Sequence, residues 1–334
     1  FMPIVDVLSS LSLALLIIYT MMQLDNEGVK GSDLAAQLTM FMLFINMMYR
    51  PIRLLADRFN VLQMGMVGSS RVFKVLDTKE QIENNAKIVE KEFKGDIAFK
   101  DVWFAYNEPT FVLKGINFSL SPGETVAFVG ATGAGKSSII NLLSRFYEYQ
   151  KGEIIVDGDE LRDIDIDLIR KNVAVVLQDV FLYSDTVLNN ITLGDHSISR
   201  EKVIEASKQV GAHEFIMSLP ENYDFVVGER GGMLSVGQRQ LISFIRAYVY
   251  NPSILILDEA TSSIDTESEE LIQLAIEKLT EGRTSIIIAH RLSTISKADK
   301  IIVMDQGEII ESGSHQELLS LDGSYKKLYD IQYK

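Results

Sequence analysis

The 334-residue sequence contains no cysteine, so neither disulfides nor thiolate metal sites contribute to its structure, a composition compatible with a reducing compartment. Basic residues are in deficit. The 32 lysines and arginines face 46 aspartates and glutamates, for a formal net charge of −14 and a sequence pI of about 4.8. That balance disfavours a sequence-independent attraction to nucleic acid or to an anionic membrane surface, and no nucleic-acid partner is expected. Internal repeats and low-complexity tracts are also missing. The length suits about two domains and readily supplies a buried core.

What is present begins with a long apolar run. Residues 7–24 (VLSSLSLALLIIYTMMQL) carry no formal charge over eighteen positions, just long enough for a helix to span a hydrocarbon core. A second run, 34–49 (LAAQLTMFMLFINMMY), is shorter and continues past Pro51 as a mixed helical stretch toward Phe73. Asp25, Glu27, Lys30 and Asp33 lie between the runs, whereas Arg50, Arg53, Arg58, Arg71 and Lys74 follow the second. The positive-inside rule then puts the short loop outside and the bulk of the chain in the cytoplasm, as a multi-pass protein of a cell membrane. A soluble helical hairpin with buried apolar faces is the alternative, because Gln37 and Asn46 weaken the second span. A cleaved signal peptide fits worse, since a basic n-region is missing and a second apolar run follows directly. The methionines at 21, 22, 40, 42, 47 and 48 could line an adaptable cavity, but in a membrane helix they more often face lipid or pack.

Residues 76–92 (LDTKEQIENNAKIVEKE) are charged, poor in apolar residues and weakly periodic, and read as a linker. The expected division is 1–75 with two membrane helices, 76–94 as linker and 95–334 as one domain. From Gly95 on, short apolar strands alternate with helical segments, the pattern of an α/β domain with a mostly parallel sheet. Segments 97–104, 116–120 and 153–156 read as strands of a more antiparallel first part. Segments 300–305 and 308–312 flank Gln306-Gly307 as a hairpin.

Residues 130–138 read GATGAGKSS, which fits G-x-x-x-x-G-K-[ST] with Gly130, Gly135, Lys136 and Ser137 in register. Glycines let the backbone approach a polyphosphate, and successive N–H groups and the following helix N-terminus face the anion. Thr132, Gly133, Ala134 and Ser138 complete the candidate cradle. Lys136 supplies positive charge toward the β- and γ-phosphates, and Ser137 a hydroxyl for Mg²⁺. The apolar run 125–129 before the loop reads as a strand and 138–146 after it as a helix, the context this loop requires.

Polar residues follow three further apolar strands. Segment 173–177 ends at Gln178, 254–257 at Asp258 and Glu259, and 285–289 at His290. Open parallel sheets bind ligands at the carboxyl ends of their strands, so four segments deliver polar groups to one edge. Upstream of Asp258 lies LSVGQ, residues 234–238, where Ser235 can cap a helix beginning at Val236.

Together these motifs resemble the C-terminal part of an ATP-binding cassette (ABC) exporter: its last two membrane helices, then its nucleotide-binding domain. The resemblance covers essentially the whole chain. The phosphate loop alone indicates a P-loop ATPase, and LSVGQ shortly before ILILDE singles out the family. It implies a P-loop NTPase fold with a RecA-like core, an antiparallel β subdomain and a helical subdomain.

It also implies roles. Tyr106 in FAYN resembles the aromatic that stacks on adenine, with packing as its other reading. Gln178 resembles the Q-loop glutamine that meets Mg²⁺ and the attacking water, Asp258 the Walker B aspartate that holds Mg²⁺, and Glu259 the general base. His290 resembles the switch histidine that bonds the γ-phosphate. Asp265 lies in the D-loop, which communicates with the opposite site. The loop 227–231 (VGERG) resembles the segment exporters place near the membrane-domain interface, although a solvated charged turn is the plainer reading. Ser235, Gly237 and Gln238 would face the γ-phosphate of ATP held by a partner subunit. Val236 stands where glycine is usual, adding bulk without removing a donor. His196, His213 and His315 read as surface or loop residues.

The implied ligands are ATP and Mg²⁺, and the implied partners a second half-transporter, membrane lipid and a transported lipid, drug or peptide. Because such exporters use about six membrane helices per half and the chain starts at Phe1, it is expected to be a fragment unable to transport alone. Two other functions compete: a soluble cassette ATPase of DNA repair or translation, and a regulatory module that dimerises without hydrolysing. The acidic charge counts against the first, and Glu259 with His290 against the second.

Overall fold

The computed structural model describes residues 2–24, 31–78, 82, 84–258, 266–289 and 291–333. Glu259, Asp265 and His290 lie outside them. The chain divides into two compact units, Phe1–Gln81 and Ile82–Lys334.

The first unit is a pair of helices, α1 (Met2–Leu24) and α2 (Gly31–Asp77). They run antiparallel: Arg53 pairs with Asp6 at 2.9 Å, and the Ser12 and Tyr49 hydroxyls meet at 3.0 Å. Four polar side chains within the apolar stretches bond inside their own helix. Ser12, Thr20 and Thr39 donate to the carbonyls of Leu8, Leu16 and Ala35, and the Asn46 amide to that of Met42. A helix surrounded by hydrocarbon needs this, because no water is at hand to satisfy a stray donor. Both expected helices are present. Among the described residues, Pro3–Gln23 of α1 alone combines the length and apolarity to cross a membrane. The apolar part of α2 is cut short by Arg50 and Arg53, and the helix passes through Pro51 at the cost of one backbone bond.

The segment read as a linker is divided by the structure. Leu76 and Asp77 end α2, whereas residues 84–94 are bound to the second unit. Lys87 pairs with Asp163 at 2.9 Å, the Asn84 amide donates to Asp165 at 2.8 Å, Ile88 bridges to Ile164, and Phe93 is buried. Charge made this stretch resemble a linker, but Lys87 and Lys91 are paired with Asp163 and Asp159, and Ile88 and Phe93 dock while Val89 stays exposed.

The second unit contains two sheets. Its elements are β1 (Ile97–Phe104), β2 (Leu113–Leu120), β3 (Thr125–Val129), α3 (Lys136–Leu143), β4 (Lys151–Val156), β5 (Asp159–Glu160), α4 (Ile166–Asn172), β6 (Val173–Val176), α5 (Val187–Thr192), α6 (Arg200–Gln209), α7 (His213–Met217), α8 (Val236–Tyr250), β7 (Ile254–Asp258), α9 (Thr266–Thr280), β8 (Thr284–Ile288), α10 (Leu292–Ile295), β9 (Lys300–Asp305), β10 (Glu308–Gly313), α11 (His315–Ser320) and α12 (Ser324–Tyr333). The four-stranded sheet is antiparallel, in the order β2-β1-β4-β5. The six-stranded sheet, β10-β9-β3-β8-β7-β6, is parallel apart from its β10 edge.

The parallel strands are buried on both faces, and their alternate residues feed two cores. Val126, Phe128, Ile254, Ile256, Ile286 and Ile288 pack with Phe99, Phe104 and Phe118 of the antiparallel sheet and with Ile139 and Leu142 of α3. Ala127, Val129, Leu255, Leu257 and Ile287 point the other way, into a core shared with α5, α6, α8 and α9. The expected RecA-like core, β subdomain and helical segment are therefore all present.

Candidate nucleotide site

In the strand order, β3, β8, β7 and β6 are consecutive neighbours, so their carboxyl ends lie side by side. A cavity of about 500 Å³ opens there, lined by Tyr106, Val112, Thr132, Gly133, Gly135, Lys136, Ser137, Ser138, Gln178, Asp258 and Ile288. Segments more than a hundred residues apart thus meet around one space. Gly130 and Ala134 do not line it. The Gly130 carbonyl accepts from the Lys136 ammonium at 2.7 Å, as does that of Ala131 at 2.9 Å. Ala134 is buried, and its carbonyl accepts from the N–H of Gly307 at 3.2 Å.

The helix after the loop starts at Lys136, two residues before the expected position, and ends at Leu143. Gly135 sets that start. Its φ of 103° is left-handed, a conformation that strains any residue with a Cβ, so the position favours glycine. Burial lowers the Lys136 pKa below the ordinary lysine value, and the Asp258 carboxylate opposes that shift. The cavity thus sets a desolvated ammonium and a carboxylate within electrostatic reach of one another.

Tyr106 borders the cavity edge-on to Phe104 and Tyr147, with ring centroids 4.7 and 4.9 Å away. Its hydroxyl lies 3.2 Å from Ser138 Oγ and accepts from Asn141 Nδ2 at 2.9 Å. Asn141, Val112 and Ile288 carry no motif and were not legible as site residues.

Ser235, Gly237 and Gln238 lie at the start of α8, outside this cavity. The predicted cap is present as a full capping box: Ser235 Oγ accepts from the Gln238 N–H at 3.2 Å, and the Ser235 N–H donates to Gln238 Oε1 at 2.9 Å. Gly237 is buried, whereas Ser235 and Val236 are exposed. Arg239 donates to the Leu234 carbonyl at 2.7 Å and fixes the approach to the helix. In the preceding loop Val227 is buried and Glu229 and Arg230 are exposed.

Two histidines differ from their reading as surface or loop residues. His213 and His315 each open a helix, half-buried, with Nδ1 against the hydroxyl of a buried tyrosine: Tyr223 at 2.9 Å and Tyr325 at 2.6 Å. In each pair the tyrosine follows the histidine by ten residues, a contact made across a turn that helical spacing does not reveal. His196 is exposed as expected.

A glycine-capped phosphate loop between strand and helix, with glutamine and aspartate on neighbouring strand ends, defines an ATP-binding domain of the cassette class. Residues 113–262 match the sequence model of the ABC transporter family, and the chain belongs to that family. The ATP-dependent lipid A-core flippase of Syntrophus aciditrophicus (strain SB) is 42% identical over 333 residues, covering 99% of this chain and 55% of that protein. The probable multidrug resistance ABC transporter ATP-binding/permease protein YheH of Bacillus subtilis (strain 168) is 45% identical over 87% of this chain and 43% of its own length. A solved structure of a bacterial Atm1-family ABC exporter with ATP bound is similar at a TM-score of 0.74 and 36% identity, over 89% of this chain and 53% of that one. The chain spans about half the length of the curated relatives it matches.

Proposed function

We propose that the chain is the ATP-hydrolysing part of a membrane exporter. The observation that carries this reading is the convergence of Lys136, Ser137, Gln178 and Asp258 on one cavity at the carboxyl edge of the parallel sheet.

The oxygen donors suit Mg²⁺: a hydroxyl from Ser137, an amide from Gln178 and a carboxylate from Asp258, all hard ligands. When bound, Mg²⁺ neutralises charge on the β- and γ-phosphates. Lys136 neutralises the same oxygens from the loop side, while the N–H groups of the loop orient the chain of phosphates. Glu259, next after Asp258, takes the proton of the attacking water, and His290 holds the γ-phosphate.

The capped start of α8 presents Ser235 outward, where it completes the site of a second cassette subunit. ATP then draws two such domains together, hydrolysis releases them, and the cycle alternates access to a path between membrane helices. With α1 and α2 read as two spans, the cassette lies on the cytoplasmic side. The relatives' names support export, with lipid and drug as the substrate classes they contain, and lend nothing to a soluble repair or translation ATPase.

Glu259→Gln tests the chemistry. ATP binding should persist while hydrolysis falls at least about a hundredfold, the usual contribution of a general base; undiminished turnover would overturn the assignment.

A further inference from the structure

Ser138 departs from the habit of several helical hydroxyls among the described residues. Ser12, Thr20, Thr39 and Ser207 each donate to the carbonyl four residues back, the ordinary habit of a serine or threonine in a helix. For Ser138 that carbonyl belongs to Ala134, which already accepts from Gly307. The Ser138 hydroxyl, buried to 4% exposure, turns instead to Tyr106 Oη, at 3.2 Å. Tyr106 Oη also receives a hydrogen bond from Asn141 Nδ2 at 2.9 Å. Both Tyr106 and Ser138 line the candidate nucleotide cavity.

The direction of these bonds follows from the chemistry of the groups. An amide nitrogen can only donate, so Tyr106 Oη is an acceptor toward Asn141 and has its own proton to give. If that proton goes to Ser138 Oγ, the serine proton is directed away from the tyrosine, toward whatever acceptor occupies the cavity. We propose that Asn141, Tyr106 and Ser138 form an oriented donor relay that delivers the Ser138 O–H to a phosphate oxygen of the bound nucleotide. Tyr106 and Asn141 are then positioning residues for phosphate recognition, a role for the tyrosine hydroxyl separate from any stacking of its ring on a base. Each bond in the chain polarises the next, and the terminal one, to an anion, gains most from that. The proposal rests on the reading of this cavity as the nucleotide site.

The test is ADP binding by calorimetry to the full chain in detergent, without divalent cations, for Tyr106→Phe, Ser138→Ala, the double variant, Asn141→Asp and Lys136→Ala. Tyr106→Phe keeps the ring and removes the relay. It and Ser138→Ala should each weaken ADP binding about tenfold, the scale of one hydrogen bond to a charged group. The double variant should bind no more weakly than Ser138→Ala. Asn141→Asp should also weaken binding, because a carboxylate takes the tyrosine proton and turns the relay around. Wild-type affinity in Tyr106→Phe, or losses that multiply in the double variant, would overturn the relay. An unchanged affinity in Lys136→Ala would overturn the nucleotide reading beneath it, whereas its loss alongside independent effects of the other two would reject the relay alone.

Discussion

The backbone N–H of Gly307 donates to the carbonyl of Ala134 across 3.2 Å, so the turn of the β9–β10 hairpin supports the phosphate loop from beneath. The same turn is tied to the base of β2, where the Gly307 carbonyl accepts from the N–H of Lys114 at 2.9 Å. Gln306 and Gly307 both have positive φ, 46° and 86°, as a type I′ hairpin turn requires. A Cβ on Gly307 would come within 2.2 Å of the Val112 carbonyl.

Gly307→Ala should therefore act at a distance. A strained backbone together with a backbone clash costs about 3 kcal/mol, and relief by moving the turn would disturb the Ala134 bond. Urea unfolding should show the loss of stability, and ADP titration a weaker affinity, although residue 307 does not line the cavity.

Lys136 makes the site sensitive to alkali. Burial lowers its pKa from 10.5, so the unfolded chain holds this proton more tightly than the folded one. The cost of burying the charge is present at neutral pH and is relieved as pH rises through the lowered value toward 10.5. Phosphate binding uses the charged form, so affinity for ADP without metal should fall at a lower pH than an ordinary lysine would give. Because Asp258 opposes the shift, Asp258→Asn should move that decline to still lower pH. Affinity measured from pH 7 upward in both proteins checks the sign.

The capping box separates two uses of Ser235. Ser235→Ala should cost about 1 kcal/mol of stability and Ser235→Gly only a few tenths, since glycine is tolerated as a cap. Both remove the hydroxyl expected to face a partner's nucleotide. Denaturation should distinguish the two variants, while ATP-dependent pairing should be impaired in both alike.

Much of the candidate site's lining was legible because Lys136, Gln178 and Asp258 each follow an apolar strand run. Residues 125–129 and 254–257 are short apolar runs, and a polar residue after such a run must lie at the sheet edge. The support beneath the loop was not legible. Gly307 and Ala134 are separated by more than half the chain, and no local pattern links a hairpin turn to a loop so far upstream. The start of β2 was also hidden: the strand was expected from 116, but it begins at Leu113, because Gly115 in left-handed conformation interrupts the alternation beside an irregular register. The helix of the loop was expected from 138 because apolar periodicity starts there, whereas the glycine cap starts it at Lys136.

On the proposed reading, ATP joins two cassette domains through the exposed start of α8. Light scattering of the compact unit Ile82–Lys334 carrying Glu259→Gln, with and without Mg-ATP, tests it most directly. A mass that doubles only with Mg-ATP is the predicted result, and Ser235→Ala should reverse it. A protein that binds ATP yet keeps its monomer mass would contradict the claim for two identical copies.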